Sequence, residues 1–258
     1  MSTLYSKITS ALFPRRCPVC GKITDSATPR LCHECAEALA VEYEKHCPVC
    51  NGKASVCTCH PEAQATHDSS VIALGFYEPG QTNSLTSRLV YALKHQVDDA
   101  AAHILARDLA GAILKDFLAR DEDVRTWVIT YAPRSILGYE RAGFDQAQRL
   151  AKLCARYVGA RYERIFCRHG GGTQKELSEK ERQINAAASI RLRHKRRKYS
   201  GKYIVVDDIL TTGATLAECA GLLISRGAES VRIAVPYRTL PRRPKQTLWY
   251  AEAGKNSQ

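Results

Sequence analysis

The chain has 258 residues, 45% of them hydrophobic, and a formal net charge of +12; this is enough for one substantial α/β domain with a small module beside it. Residues 1–66 hold 7 Lys/Arg against 6 Asp/Glu, leaving 31 against 20, or +11, to residues 67–258, an excess that suits an anionic partner, whether phosphorylated metabolite or nucleic acid, and selects neither. No charged-then-apolar leader opens the chain and no apolar run approaches the ~20 residues of a membrane span, so no membrane span is expected, the expected location is cytoplasmic, and paired cysteines point to metal rather than to disulfides.

Eight of the eleven cysteines lie in the first 59 residues, as four close pairs: Cys17/Cys20, Cys32/Cys35, Cys47/Cys50 and Cys57/Cys59. Two thiolates two residues apart at a tight turn grip one ion, and two such turns complete the tetrahedral four-sulfur site that zinc prefers. Cys-Pro-Val-Cys occurs twice, followed by Gly21 or by Asn51-Gly52, as two knuckles built to one plan. About two structural zinc ions are expected in a module spanning residues 1–66. Sequential pairing of ligands is the simpler assignment, and interleaving Cys17/Cys20 with Cys47/Cys50 stays open. His33, His46 and His60 are near enough to substitute as ligands. Closed four-thiolate sites leave no coordination position for chemistry, so the metal would supply folding energy that a small module lacks. Cys154, Cys167 and Cys219 read as buried spectators.

From Val71 the texture changes. Val71–Tyr77 is strand-like and is closed by Glu78-Pro79-Gly80-Gln81. Leu85, Leu89, Tyr91, Ala92 and Leu93 have helical spacing, and a second helix is predicted from about Asp98 to Leu118. Trp127–Ala132 reads as a buried strand stopped by Pro133, and Gln146–Val158 as a helix. Tyr203–Val206, a helix over Thr215–Arg226, Gly227 as its stop and Val231–Pro236 make a βαβ unit. Strands alternating with helices predict a mostly parallel sheet with helices on both faces. The second domain is set at residues 67–240 and a tail at 241–258. Ligands on such sheets sit beyond the carboxyl ends of the strands, where Pro133 and Asp207 fall.

Three segments in this domain look chemical. Arg134 and Ser135 leave a strand end, and Arg141 follows shortly before Gly143-Phe144-Asp145-Gln146; the two arginines can clamp an anionic group such as pyrophosphate. The plainer reading is a solvated loop entering a helix capped by Asp145. Gly170-Gly171-Gly172-Thr173-Gln174-Lys175 suits a mobile flap or an ordinary connector. Arg191–Lys198 holds six Lys/Arg in eight residues; Arg193, Lys195, Arg196 and Arg197 can neutralise phosphates, with Tyr199 or Tyr203 stacking on a base, or the run can be a solvated hairpin.

The most specific stretch is Val205-Val206-Asp207-Asp208-Ile209-Leu210-Thr211-Thr212-Gly213-Ala214-Thr215. A buried strand that opens through small residues into a helix aims backbone N–H groups and the helix dipole at one point, a cradle for phosphate. Thr211, Thr212 and Thr215 add hydroxyl donors, Ala214 is small, and Gly213 permits close approach. Asp207 and Asp208 would repel phosphate, which leaves them for sugar hydroxyls or a hydrated divalent cation. The stretch resembles the phosphoribosyl-pyrophosphate (PRPP) loop of type I phosphoribosyltransferases.

Taken with the four cysteine pairs, Leu93-Lys94, Gly143-Phe144-Asp145-Gln146, and Thr173-Gln174-Lys175 with Leu177, Arg182 and Asn185, nearly the whole chain resembles the ComF family (the ComFC/GntX group). The resemblance implies a double zinc ribbon joined to a type I phosphoribosyltransferase fold, a PRPP site used with Mg²⁺, and a link to competence, DNA uptake or DNA utilisation. Where the family has Arg-Gly-Phe, Ala142 stands before Gly143 and Arg141 is displaced by one. Hypoxanthine-type relatives carry an Asp three positions after the second acid; Thr211 stands there and cannot act as a base at neutral pH, which disfavours a 6-oxopurine acceptor. Two classes remain: a phosphoribosyltransferase with an unidentified acceptor, and a non-catalytic factor that senses PRPP or handles single-stranded DNA and partners DNA-processing proteins.

Overall fold

The run Val71–Tyr77 is apolar toward both of its faces, so its side chains are satisfied only between two covering layers. The computed structural model describes residues 14–24, 30–57, 59, 71–95, 99–134, 143–168 and 189–240. Its elements, in chain order, are α1 (His33–Tyr43), β1 (Val71–Tyr77), α2 (Leu85–His95), α3 (Ala100–Ala119), β2 (Trp127–Tyr131), α4 (Gln146–Val158), β3 (Arg161–Tyr162), β4 (Phe166–Arg168), β5 (Ile190–Leu192), β6 (Gly201–Val206), β7 (Ile209–Leu210), α5 (Ala214–Ile224) and β8 (Ala228–Thr239). Six strands form a sheet in the order β1-β8-β6-β2-β3, with β7 beside β8, and every pair in it is parallel.

The two faces of the sheet are covered differently. Helices α2, α3 and α4 close one face around Leu89, Leu105, Leu109, Ile129, Leu150 and Ile204. The other carries α5, the antiparallel β4–β5 hairpin and part of the second cysteine loop: Leu216, Leu223, Phe166 and Ile190 share a core with Cys47, Ala54, Val205 and Ile233. The cysteine loop thus covers sheet that a helix would otherwise cover.

Strand β8 is the spine, pairing with β1 on one edge and with β6 and then β7 on the other. Val206 pairs with Ala234 and Ile209 with Tyr237, so Asp207 and Asp208 fall opposite Val235 and Pro236. Proline has no N–H for a ladder, and a buried central strand tolerates it only where pairing is interrupted. The phase of β8 inverts there. Val231, Ile233 and Val235 face α5, whereas beyond Pro236 it is Arg238 that turns to that side and Tyr237 that joins the α3 side. Gly75, paired with Tyr237, leaves room for the ring of Tyr43 from α1: a Cβ there would stand 3.2 Å from its Cδ1.

Several boundaries differ from the sequence reading. The final strand runs over Ala228–Thr239 rather than Val231–Pro236, and α5 begins at Ala214, one residue early. The β4–β5 hairpin was not expected, because three-residue strands 21 residues apart leave no periodic signal. Tyr91 is 64% exposed, not part of the apolar face of its helix. Tyr199 and Tyr203 are buried edge to face at 6.2 Å, so neither can stack on a base. Cys154 and Cys219 are buried; Cys167 is only half-buried. Among the described residues no helix is long and apolar enough to cross a membrane.

Candidate functional site: an acidic cleft and two cysteine clusters

At the carboxyl end of the sheet, β2, β6 and the starts of α4 and α5 enclose a cleft of about 190 Å³. Arg134, Asp207, Asp208 and Thr215 line it, joined by Lys94, Asp145, Gln146 and Arg168. Ser135, Arg141, Thr173, Gln174 and Lys175 lie outside the described residues.

The lining is tied into one chain of contacts. Asp145 caps α4, accepting from the Gln148 amide at 3.0 Å, and its other oxygen accepts from the Arg134 amide at 3.0 Å, so one carboxylate pins the end of β2 to the start of α4. The Arg134 guanidinium donates to Gln146 Oε1. Buried Gln146 donates in turn to the Lys94 carbonyl at 3.4 Å, and Lys94 Nζ stands 3.7 Å from Asp208 Oδ2. The Asp208 amide donates to Asp207 Oδ1 at 2.8 Å.

The loop from Asp207 into α5 is held from below. Thr239 Oγ1 donates to the carbonyls of Leu210 and Thr211, each at 3.3 Å. Gly213 takes φ +87°, a backbone that a side chain would strain, and lets α5 start with the Ala217 N–H donating to the Gly213 carbonyl at 2.8 Å. The helix N-terminus is thereby aimed at the loop, with its dipole's positive end there. Thr211 and Thr212 are exposed, Gly213 is buried, and Thr212 Oγ1 accepts from the Ala214 amide at 3.4 Å.

The lining sets three cations, Lys94, Arg134 and Arg168, against three acids, yet burial dominates at two of the acids. Burial, and then the charge of Asp208, push the Asp207 carboxyl well above the usual carboxylate range; burial likewise raises Asp145. Burial lowers Arg168, against the attraction of Cys219 and Asp207. A hard divalent cation matches such adjacent carboxylates. Sequence reading missed Lys94 and Gln146 as cleft residues, although both lay within quoted motifs, and had no signal for Arg168. Arg168 donates to Ser189 Oγ at 2.9 Å, joining the two described residues on either side of the segment that carries Thr173–Lys175.

The cysteines gather into two sets, Cys17/Cys20/Cys32/Cys35 and Cys47/Cys50/Cys57/Cys59, with all sulfurs of a set within 4.8 Å. Pairing is therefore sequential. Of the histidines, His33 is exposed beside Glu37, His46 belongs to neither set, and His60 lies outside the described residues. Cys20 and Cys32 sulfurs are 3.5 Å apart and those of Cys47 and Cys59 3.8 Å; four sulfurs about 2.3 Å from one zinc require a spacing close to this. The knuckles match bond for bond: Cys17 N–H to Lys22 O and Cys47 N–H to Gly52 O, both 2.8 Å, with positive φ at Gly21 and Asn51. Arg238, 1% exposed, donates to the carbonyls of Ala54 (2.9 Å) and Cys57 (2.7 Å). Strand β8 therefore links the second knuckle to the loop that begins at Asp207.

Two family models match separate parts of the chain. The phosphoribosyl transferase domain family matches residues 100–251, and the double zinc ribbon domain family matches residues 8–66. The DNA utilization protein YhgH of Salmonella typhimurium is 28% identical over 223 residues, 80% of this chain and 96% of that one. Its counterpart in Escherichia coli O6:H1 is 34% identical over 103 residues, 39% of this chain and only 44% of the relative's length. A solved hypoxanthine phosphoribosyltransferase of Staphylococcus aureus aligns with 13% identity and a TM-score of 0.34, covering 55% of this chain and 76% of that one.

Two outcomes are expected. Metal analysis of protein purified without chelator should give two zinc ions per chain, and Cys47→Ser should lower the melting temperature of the whole chain more than Cys20→Ser, because the second knuckle is part of the sheet's core. Asp207, raised in the folded state, binds its proton more tightly there than in the unfolded chain. Its contribution to stability is then full below the ordinary carboxylate pKa of ~4 and is lost as pH rises through the raised value. Without divalent cations, Asp207→Asn should melt higher than the native chain at neutral pH and depend less on pH; equal melting profiles from pH 4 to 8 would contradict this.

Proposed function

Since the chain belongs to the phosphoribosyl transferase domain family and, by joining that domain to a double zinc ribbon, to the ComF family, we propose that its acidic cleft binds PRPP and that the chain transfers the phosphoribosyl group to an acceptor, in the service of DNA uptake or utilisation. One observation carries the reading: an adjacent pair of carboxylates, a helix N-terminus and an arginine line the same cleft. In this proposal the amides and hydroxyls of Thr211, Thr212, Gly213, Ala214 and Thr215 hold the 5′-phosphate. Asp207 and Asp208 hold the ribose hydroxyls and, with Asp145 behind them, offer oxygen donors to Mg²⁺. Bound there, Mg²⁺ supplies positive charge against the departing pyrophosphate. Arg134 takes the pyrophosphate from the protein side; Ser135 and Arg141 are further candidates for that group and Thr173, Gln174 and Lys175 for a flap, all five outside the described residues. The C1–oxygen bond breaks toward a cationic ribose, so placement and charge do the catalysis.

Titration calorimetry with Mg²⁺ and PRPP should show binding to the native chain and at least a tenfold loss in Asp207→Asn with Asp208→Asn, while circular dichroism stays unchanged. Labelled PRPP, incubated with bases and nucleic acids, should release pyrophosphate with one acceptor. Equal PRPP affinity in both chains would remove the cleft from the proposal.

A second reading, a PRPP-binding factor that handles single-stranded DNA, is supported by the exposure of Arg193, Lys195 and Arg196 on the loop between β5 and β6. Arg197 is exposed too, but its guanidinium is committed to Glu163. Backbone contacts carry no base information and release about 0.7 counterion per phosphate on single strands. Replacing Arg193, Lys195 and Arg196 with Ser should therefore flatten the log–log salt dependence of oligonucleotide affinity by about 2, equally for all sequences. An unchanged slope would leave the loop solvated and without a role in DNA.

A further inference from the structure

A second cleft, of about 500 Å³, opens between the first cysteine knuckle and α2. Pro18 and Val19, at the tip of the knuckle that holds Cys17 and Cys20, form one wall; Arg88, Tyr91 and His95 on α2 form the other. Lys94 lines this cleft and the acidic one alike, with its Nζ 3.7 Å from Asp208, so the two clefts share a wall residue.

Tyr91 stands out on this wall. Its neighbours Val90, Ala92 and Leu93 are buried, yet it is 64% exposed. Its ring lies 4.4 Å from that of His95, inclined by 35°, which braces it from the next turn of the helix. An aromatic face held into a cleft gives a sequence-tolerant stacking surface, because every base has a π-face. Arg88 beside it offers planar N–H donors for ring carbonyls and nitrogens.

We propose that this cleft is the acceptor site, that it takes a planar nucleobase stacked on Tyr91 with Arg88 at its edge, and that the first zinc knuckle is the wall that closes it. The inference rests on the PRPP reading above. Transfer would form a bond from a ring nitrogen to C1 while the C1–oxygen bond breaks; pyrophosphate leaves with the electron pair, and the ring N–H proton passes to water at the open mouth. The base can come free or within a single strand, and both present the same face to Tyr91.

Fluorescent 2-aminopurine, whose emission is quenched by stacking, serves as the probe in two forms: the free base, and a single-stranded oligonucleotide carrying it. Quenching by the full-length zinc-loaded chain is expected with at least one form, and which form responds identifies the source of the base. Tyr91→Ala should weaken that binding about 5- to 100-fold, Tyr91→Phe should preserve it, and PRPP affinity should be the same in all three chains. Quenching that survives Tyr91→Ala undiminished, or fails with both forms in the native chain, overturns the acceptor site. Loss of PRPP binding in the native chain with quenching intact would instead overturn the transferase reading and leave the base site standing.

Discussion

Two carboxylates side by side at the carboxyl end of a buried strand repel each other, and burial of Asp207 adds to the cost of its charge. The rest of the site is arranged around that cost. The ladder opens opposite Pro236, where no N–H is offered; Lys94 approaches Asp208 from α2; and Gln146 links Lys94 to Arg134 across the sheet's end. The positive end of α5 points the same way. None of these neutralises Asp207, which stays pushed up toward its protonated form.

What was legible in the sequence was whatever is contiguous. The Asp207–Thr215 stretch compresses strand end, acids, turn and helix start into nine residues, and each cysteine pair declares its ligand spacing within three or four. Asp145 was readable as a cap for the same reason. Side chains that act at long range were not: Gln146 reaches a carbonyl 52 positions away, and Arg238 reaches carbonyls 184 and 181 positions away. Tyr91 misled because a helical spacing fixes which residues share a stripe, not whether a neighbouring module covers it. Tyr199 misled in the opposite sense: its place in a basic run suggested solvent, whereas the β4–β5 hairpin and α5 close over it.

Charge is also buried where no chemistry is proposed. Arg232, fully enclosed in β8, is paired with Asp116 at 3.3 Å and Glu122 at 2.5 Å and stands 4.6 Å from the ring centres of both Phe117 and Trp127. There every charge has its opposite in the chain itself, so that site is self-sufficient in the way the Asp207 end of the sheet is not.

Arg238 ties the two halves of the molecule into one inheritance. A zinc ion held by four thiolates would leave a net charge of about −2, and the guanidinium that stands against it comes from β8, the strand that also supports the loop beginning at Asp207. A version of the transferase domain cut free of its ribbon would keep every cleft residue and still carry, in its interior, a cation with its carbonyl partners gone. The ribbon is thus part of the packing of the domain it covers. A substitution at Ala54 or Cys57 therefore touches the strand whose next residue, Thr239, supports Leu210 and Thr211.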